Sequence, residues 1–262
     1  MKIAVCFSGQ IRTGVEASEN IKRYLGNLYP FCDFFIHTWD IDLIKNTTKI
    51  SKVDLDRIEK IRSIYNPKAM NIEIYDDVNA KEKFNTISNS VNTQLFYTFM
   101  KSVELKKQYE NENNFEYDYV LKLRLDLIFS SHRNLETDIS MYPFENNNGI
   151  WIENPPTEEV YFANDVYWLD DVFYITTSKI IDYISSYYNF IKKNRFKSHN
   201  NYEYSLKNYI IRNEIIIFFK KDSIDYNMGG YTIYRKECLD LSPMDEWEKC
   251  LECFNDLNKD EL

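Results

Sequence analysis

Apolar and polar residues follow two alternating patterns along the first half of the chain. Short apolar runs of strand length are separated by segments whose apolar residues recur every three or four positions, which is typical of helices. Strands are predicted at residues 3–7, 34–36, 70–75 and 117–123, and helices at residues 15–28, 54–65 and 91–109. Because strands and helices alternate, the pattern favours an α/β fold with a mostly parallel central sheet flanked by helices.

The second half of the chain is less regular. The polar residues 76–90 and the aperiodic residues 130–148 are both expected to form loops. Short strands are predicted at residues 149–152, 171–176, 215–219 and 231–234, and helices near residues 180–188 and at residues 202–212. No internal repeat and no linker rich in Pro, Gly or Ser interrupts the chain, so one domain is expected over residues 1–262.

Composition and charge narrow the function classes. The net charge of −9 argues against nucleic acid as the main partner, because binding to phosphates requires a basic surface. The longest apolar run, residues 215–219, is far below the roughly 20 residues of a transmembrane helix. The opening residues also lack the pattern of a secretory signal. The sequence therefore predicts a cytoplasmic protein without a transmembrane segment, and leaves peripheral attachment to a membrane open.

Polar clusters follow three of the predicted strands, at the point where each strand ends. In open parallel sheets, ligands bind beyond the carboxyl ends of the strands. The clusters are Ser8-Gly9-Gln10-Ile11-Arg12-Thr13, His37-Thr38-Trp39-Asp40 and Arg124-Leu125-Asp126. Because parallel strands place their carboxyl ends at one edge of the sheet, these three segments predict a single site there.

The first cluster also fits a different chemistry. Cys6 and Arg12, followed by Thr13, match the C-x5-R-[ST] loop in which a thiolate attacks phosphorus while the Arg and backbone N–H groups hold the oxyanion. The position near the N-terminus is similar to that in low-molecular-weight tyrosine phosphatases. Those enzymes use an Asp-Pro dipeptide as general acid, and this sequence contains none. A buried structural role for Cys6 is the other interpretation.

Three Asp-containing triplets compete as metal or diphosphate ligands. Two carboxylates at a strand end can hold a divalent metal that neutralises a departing diphosphate. Asp54-Leu55-Asp56 falls at the start of a predicted helix and is expected to be a solvated first turn, whereas Asp40-Ile41-Asp42 follows a strand. Arg124-Leu125-Asp126 offers one carboxylate and one guanidinium, which can fork onto phosphate oxygens. On spacing alone, a simple Arg–Asp surface pair explains it equally well.

The run Tyr117 to Leu127 resembles a motif of bacterial and viral polysaccharide glycosyltransferases with the GT-A fold. In that motif a Tyr-Asp pair, a hydrophobic strand and Arg-x-Asp stand where Asp-x-Asp stands in other transferases. Three more segments, residues 7–12, 34–40 and 169–174, are similar to family motifs in kind and order. The motifs are short, and their ordered combination over roughly residues 1–235 carries the resemblance.

The resemblance implies a role for each matched position. The implied donor-binding residues are Gly9, Gln10, Arg12, His37, Trp39, Asp40, Gln94, Arg124 and Asp126. Arg124 and Asp126 would hold the diphosphate or its metal, Mn²⁺ or Mg²⁺, with Asp126 as the metal ligand. Asp170 and Asp171 would lie by the acceptor hydroxyl, where one is the implied general base; Glu203 and Arg235 stand near later motif positions. The missing first Asp of the triplet leaves metal dependence open.

The sequence thus predicts a GT-A-like, Rossmann-like α/β domain with a nucleotide-binding half at residues 1–130 and an irregular acceptor-binding half at residues 131–262. The expected activity is transfer of a sugar from a nucleotide diphosphate sugar to a hydroxyl of a glycan or lipid-linked glycan. Two alternatives stay open at this point. One is a cysteine-dependent phosphatase built on Cys6 and Arg12, and the other is a non-catalytic module that binds a nucleotide or a glycan.

Overall fold

A computed structural model gives the structure of the protein. It describes residues 1–43, 50–75, 92–129, 131, 133–140, 149–152, 173–194, 216–219 and 231–233. The predicted loop at residues 76–90 and the predicted helix at residues 202–212 lie outside the described residues. So do the acceptor-side candidates Asp170 and Asp171, and the later positions Glu203 and Arg235.

In the described part of residues 1–113, the predicted strands and helices are present, and two short strands, Ile41–Leu43 and Ile50–Lys52, are added to them. The elements are β1 (Ile3–Ser8), α1 (Gly14–Leu25), a 3-10 helix (Gly26–Phe31), β2 (Cys32–Trp39), β3 (Ile41–Leu43), β4 (Ile50–Lys52), α2 (Leu55–Tyr65), β5 (Ala69–Glu73) and α3 (Asn92–Asn113). The predicted single helix at residues 15–28 ends earlier than expected, because Gly26 adopts a positive φ of 55° and a 3-10 helix follows.

The remaining elements are shorter. They are β6 (Tyr119–Leu123), β7 (Leu127–Phe129), α4 (Leu135–Ser140), β8 (Gly149–Ile152), β9 (Tyr174–Thr176), α5 (Ser178–Ser185), α6 (Tyr187–Asn194), β10 (Ile216–Phe219) and β11 (Tyr231–Ile233). Among the helices of the described residues, none has the length and apolar character needed to cross a membrane.

A seven-stranded sheet in the order β10-β8-β9-β6-β1-β2-β5 forms the centre of the fold. β6, β1, β2 and β5 run parallel to one another, and β8 runs parallel to β10. β9 is antiparallel to both of its neighbours, β6 and β8. The sheet is therefore mixed but mostly parallel, and this confirms the predicted α/β class. Two small antiparallel pairs, β3 with β4 and β7 with β11, complete the described strands.

Helices cover both faces of the sheet, and β1 shows why. Alternate side chains of a strand point to opposite faces. Ile3, Val5 and Phe7 pack in a core with α1 and α2, whereas Ala4 and Cys6 pack in a second core with α3, α5 and α6. Because β1 is buried on both faces, its sequence is a continuous apolar run instead of an alternating one.

The first turn of α2 is capped as the sequence suggested. The side chain of Asp54 accepts a hydrogen bond from the Asp56 N–H at 3.0 Å, so Asp54 is the N-cap. The triplet Asp54-Leu55-Asp56 is thus a helix start, and both of its carboxylates are exposed. The prediction of a solvated first turn is confirmed.

Helix α4 contradicts the expectation of a loop over residues 130–148 where that stretch is described. Its six residues are too few to show a helical period in the sequence. Tertiary contacts stabilise it instead: the buried Asp138 accepts hydrogen bonds from the Tyr24 hydroxyl and from Arg133 Nε, both at 2.8 Å. Asn134 caps the helix by accepting from the Thr137 N–H at 2.8 Å.

A buried ionic cluster joins α3 to α5 on the face opposite α1. Lys106, which is fully buried, donates to Ser178 Oγ at 2.5 Å and to Asp182 Oδ1 at 2.7 Å, and its ammonium lies 3.0 Å from Glu110 Oε2. Glu110 Oε1 also accepts from the Tyr117 N–H at 2.8 Å, just before β6 begins. The cluster therefore connects the long helix to both β6 and the segment that follows β9.

Candidate functional site

The three polar segments predicted from the sequence meet at one edge of the sheet. Ser8 at the end of β1 is in register with His37 of β2, and Phe7 is in register with Leu123 of β6. The segments that follow these parallel strands therefore start side by side. Arg12 Nη1 lies 3.5 Å from Asp126 Oδ2, so the loop after β1 contacts the loop after β6 directly.

The loop between β1 and α1 has an unusual backbone that side chains hold in place. Gly9 has a φ of 109° and Arg12 a φ of 40°, a left-handed conformation that costs a non-glycine residue on the order of 1–3 kcal/mol. The Arg12 N–H donates to Asp42 Oδ1 at 3.0 Å, and the Arg12 carbonyl accepts from Arg57 Nη2 at 2.5 Å. Two side chains from distant parts of the sequence thus fix the backbone from which the Arg12 guanidinium extends.

Asp126 is the centre of the site. Its side chain is fully buried, and Arg124 binds it in a bidentate manner: Arg124 Nε donates to Oδ1 at 2.8 Å and Arg124 Nη2 to Oδ2 at 2.7 Å. With Arg12 at 3.5 Å, the carboxylate is shared between two guanidinium groups. Bidentate pairs of this kind are strong and fix the planar groups relative to each other.

Helix α1 begins directly against this segment. A Cβ atom added to Gly14 would lie 2.9 Å from the Cβ of Leu125 and 3.4 Å from its carbonyl oxygen. Glycine is therefore the residue that lets the start of α1 approach Leu125, the residue between Arg124 and Asp126. The close approach brings the N-terminus of the helix, with its partial positive charge, beside the two arginines.

Asp42 and Arg57 both contact the backbone of Arg12. Burial raises the pKa of the Asp42 carboxyl above its ordinary value, and the nearby Asp126 charge raises it further. The hydrogen bond from the Arg12 N–H and the charges of Arg12 and Arg57 oppose this rise without cancelling it. Arg57 is paired with Glu16, with Nη1 3.0 Å from Oε1 and Nη2 2.5 Å from Oε2. Both groups act chiefly on the loop backbone.

Aromatic side chains and one carboxylate pack around the end of β2. His37 is fully buried with Nε2 3.3 Å from Glu73 Oε2, and that carboxylate also accepts from the Tyr97 hydroxyl at 2.7 Å. Trp39 is 5% exposed and stacks on Tyr97 with ring centroids 5.7 Å apart. In this conformation His37 and Trp39 therefore belong to the packed interior behind the edge of the sheet.

Asp40 lies just after β2, and Gln94 lies near the start of α3. Asp40 Oδ1 accepts from the Tyr75 N–H at 2.7 Å, and Lys52 Nζ lies 3.9 Å from Oδ2. Asp40 thereby ties the end of β2 to the end of β5. Gln94 is half-buried in the first turn of α3.

The structure shows no set of metal ligands around Asp126 among the described residues. Within the part of the chain that the structure describes, no group of three or more His, Cys, Asp or Glu side chains is arranged to hold a metal ion. Two carboxylates, those of Asp126 and Asp42, lie among the guanidinium groups of Arg12, Arg57 and Arg124. The metal role of Asp126 stays a prediction from the resemblance.

The phosphatase alternative finds no support in the geometry. Cys6 lies inside β1, paired with Phe35 and Lys122 of the neighbouring strands, and not in the loop that follows. It is fully buried among the residues of the α3 face, and this burial raises the pKa of its thiol to about 12. A thiol of this kind stays protonated at neutral pH, so it is not the nucleophile that a C-x5-R loop requires.

The structure brings five of the predicted site residues together, and the residues that support them were not predicted. Gly9, Gln10, Arg12, Arg124 and Asp126 lie together, with Gln10 Oε1 accepting from Arg12 Nε at 2.9 Å. The roles predicted for them as ligands of a nucleotide remain predictions. Asp42 was visible only as the end of the triplet Asp40-Ile41-Asp42. No sequence signal marked Arg57, whose contact with the Arg12 carbonyl depends on the packing of α2 beside α1.

Comparisons with known proteins give a family and a likeness to solved structures. A family model described as "Domain of unknown function (DUF7796)" matches residues 1–143. A search of curated proteins finds no match. Among solved structures, the chain is similar to the crystal structure of a glycosyltransferase involved in the glycosylation of the major capsid of PBCV-1, at 10% identity and a TM-score of 0.41, covering 84% of this chain and 82% of that chain. A likeness of this degree does not assign an activity.

Proposed function

We propose that this chain, which belongs to the family described as Domain of unknown function (DUF7796), is a glycosyltransferase. In this proposal it moves a sugar from a nucleotide diphosphate sugar to a hydroxyl of a glycan or lipid-linked glycan. The motifs at residues 7–12, 34–40 and 117–127, which resemble those of polysaccharide glycosyltransferases, support the reaction type. The site that they form in space supports the kind of donor.

One observation carries the proposal: Arg12 and Arg124 converge on Asp126 at the carboxyl edge of the sheet. Ligands of open α/β sheets bind at this edge. Guanidinium groups match the geometry of phosphate oxygens and keep their charge at all physiological pH values. A pair of them, fixed by one buried carboxylate, suits the diphosphate of a nucleotide sugar.

The same two groups would assist bond cleavage. When the bond between sugar and diphosphate breaks, negative charge grows on the leaving diphosphate. Positive groups that are already oriented stabilise this charge without reorganisation, and removing one such group typically lowers kcat by about 10²- to 10³-fold. Arg124, held in a bidentate pair and 13% exposed, is the better oriented of the two.

The remaining roles follow the resemblance. Asp170 or Asp171 would remove the proton of the acceptor hydroxyl as the attacking oxygen forms its bond to the sugar. Gly9 and Gln10 would line the nucleotide pocket beside Arg12. The resemblance also implies donor-side roles for His37, Trp39, Asp40 and Gln94, of which His37 and Trp39 are buried in the interior.

The first test combines binding with donor consumption. UDP, GDP, CDP and dTDP are screened by thermal shift, since a ligand that binds the native state raises the melting temperature. Sugars of the nucleotide that shifts the protein are then offered as donors, and release of the nucleoside diphosphate is measured. We expect Arg124→Met to lower the rate by about 10²-fold or more.

Arg62→Met is the matched control, because Arg62 lies on α2 with 49% of its side chain exposed and pairs only with Glu59 among the described contacts. Its rate should equal that of the wild type. Nucleotide binding without consumption of any donor would instead support the non-catalytic module. The absence of both would refute the glycosyltransferase proposal.

A further inference from the structure

We propose that Asn20 is a positioning residue of the candidate site: by holding the backbone of Phe129, its side chain fixes Asp126 opposite Arg12. Asn20 lies in the middle of α1 and acts through the backbone of β7. The proposal rests on the proposed function, because the site that Asn20 orders is the one proposed to bind the diphosphate of the donor.

The Asn20 side chain binds the backbone of Phe129 as a neighbouring strand would. Asn20 Nδ2 donates to the Phe129 carbonyl at 3.0 Å, and Asn20 Oδ1 accepts from the Phe129 N–H at 2.7 Å. A side-chain amide carries the donor and the acceptor that this double contact requires. Asn20 is buried, so both hydrogen bonds lie in the interior, where leaving a polar group without its partner is costly.

Two more residues on the same face of α1 hold Phe129. Arg23 Nη2 donates to the Phe129 carbonyl at 2.7 Å, and the Tyr24 ring stacks on the Phe129 ring with centroids 3.7 Å apart. Arg23 and Tyr24 follow Asn20 at the spacing that places side chains on one face of a helix. The contact to the Phe129 N–H comes from Asn20, so replacing Asn20 removes that contact while the other two remain.

The opposite edge of β7 is bound by β11. Phe129 is in register with Tyr231, and Ile128 is in register with Thr232. The N–H and C=O of one strand residue point to the same side, and successive residues alternate. Because Phe129 directs both groups at Asn20, Ile128 directs its own at β11. β7 is therefore fixed on both edges, by α1 from the first half of the chain and by β11 from the second.

The contacts at Phe129 and at Gly14 together fix the segment between them. Asp126 directly follows Leu125, which Gly14 approaches closely, and it precedes Phe129 by three residues. The Gly14 contact limits how closely α1 and this segment approach, and the Phe129 contact prevents their separation. Arg12 stands two residues before the start of α1, so holding Asp126 against α1 also holds it at the observed 3.5 Å from the Arg12 guanidinium.

A double-mutant cycle on stability tests the proposal without any ligand. Melting temperatures are measured for Asn20→Leu, Asp126→Asn and the double variant of the full-length protein. Leucine keeps the approximate shape of asparagine and removes both hydrogen bonds to Phe129. If Asn20 positions Asp126, the first substitution already weakens the contacts that the second removes. The loss of Tm in the double variant should then be smaller than the sum of the two single losses by about 2 °C or more.

Val103→Ala is the matched control, because Val103 is buried in the core on the opposite face of the sheet. It should lower Tm, and its loss should add to that of Asp126→Asn, as expected for distant sites. Additive losses for Asn20→Leu as well would overturn the proposal. Should a variant of the cycle fail to fold, amide hydrogen exchange of Asn20→Ala decides the question: exchange that is about tenfold faster over residues 124–127 supports the proposal, and faster exchange confined to Phe129 overturns it.

Ligand binding separates this proposal from the proposed function. The full-length protein is titrated calorimetrically with UDP, GDP, CDP and dTDP, well below the Tm of every variant. The Kd of a nucleotide that binds the wild type should rise by about tenfold in Asn20→Leu and stay unchanged in Val103→Ala. An equal Kd in Asn20→Leu overturns the proposal and leaves the proposed function intact. Non-additive losses of Tm without binding of any nucleotide support the positioning of Asp126 by Asn20 and remove the transferase.

Discussion

The contact between Gly14 and Leu125 offers the sharpest test of how the fold positions the site. In Gly14→Ala, the new Cβ would lie 2.9 Å from the Leu125 Cβ. Carbon atoms in contact prefer at least about 3.5 Å, so the two segments must separate by roughly 0.6 Å. The clashing atom is bonded to the backbone and cannot rotate away, and therefore either α1 or the Arg124–Asp126 segment must shift.

Two opposing effects set the magnitude. Overpacking of this kind costs about 1–3 kcal/mol. Replacing Gly by Ala in a helix stabilises the folded state by at most about 0.5–1 kcal/mol, and by less in the first turn. We therefore expect Gly14→Ala to lower the free energy of unfolding by about 1–2 kcal/mol. A shift of roughly 0.6 Å also exceeds the about 0.5 Å that a preorganised site tolerates, so diphosphate binding should weaken by about tenfold.

Gly26→Ala separates the loss of stability from the loss of positioning. Gly26 has a φ of 55° at the end of α1, and a Cβ there meets no described atom within 4 Å. The substitution should cost about 1–2 kcal/mol through backbone strain alone, and diphosphate binding should be unchanged. Urea unfolding gives the stabilities and calorimetry gives the Kd values. Wild-type stability together with wild-type binding in Gly14→Ala would refute the reasoning.

Three further outcomes follow from the buried groups. Asp126→Asn removes a buried charge shared by two arginines and should lower Tm by about 6–12 °C, for a loss of about 3 kcal/mol; an unchanged Tm would count against the pairing. Cys6, whose pKa is raised to about 12, should resist iodoacetamide at about pH 8 until urea unfolds the chain, as read by peptide mass spectrometry; rapid labelling of the native protein would disprove its burial. Lys106→Met leaves the buried Glu110 carboxylate without its cation and should cost about 3–5 kcal/mol in urea unfolding; equal midpoints would show that the cluster adds nothing.

The parts of the fold predicted from the sequence are those where a local pattern decides the structure. The apolar run of β1 and the helical period of α3 each reflect burial over several consecutive residues. Helix α4 was missed because its six residues show no period, and because the contacts of Asp138 with Tyr24 and Arg133 that stabilise it are tertiary.

The candidate site likewise has contacts that sequence spacing suggests and contacts that depend on tertiary packing. Arg124 and Asp126 are two residues apart, so their pairing could be suspected from spacing. The approach of Arg12 to Asp126 depends on the parallel pairing of β1 with β6 and on the left-handed backbone at Arg12. The sequence predicts parallel strands but not which strands are neighbours, and nothing in it marks the left-handed backbone at Arg12. The hydrogen bond from Arg57 to the Arg12 carbonyl depends in addition on how α2 packs, and no local sequence pattern encodes that packing.

The direction of β9 decides how far the chain can be shortened. β9 pairs with β6 on one side and β8 on the other, and it comes from a part of the chain well beyond the Arg124–Asp126 segment. A fragment ending after α4 would retain the four parallel strands and both arginines, but it would expose the hydrogen-bonding edge of β6. Exposed edges recruit strands from other molecules and promote aggregation. A soluble minimal fragment should therefore extend at least through α5, which also supplies two partners of Lys106.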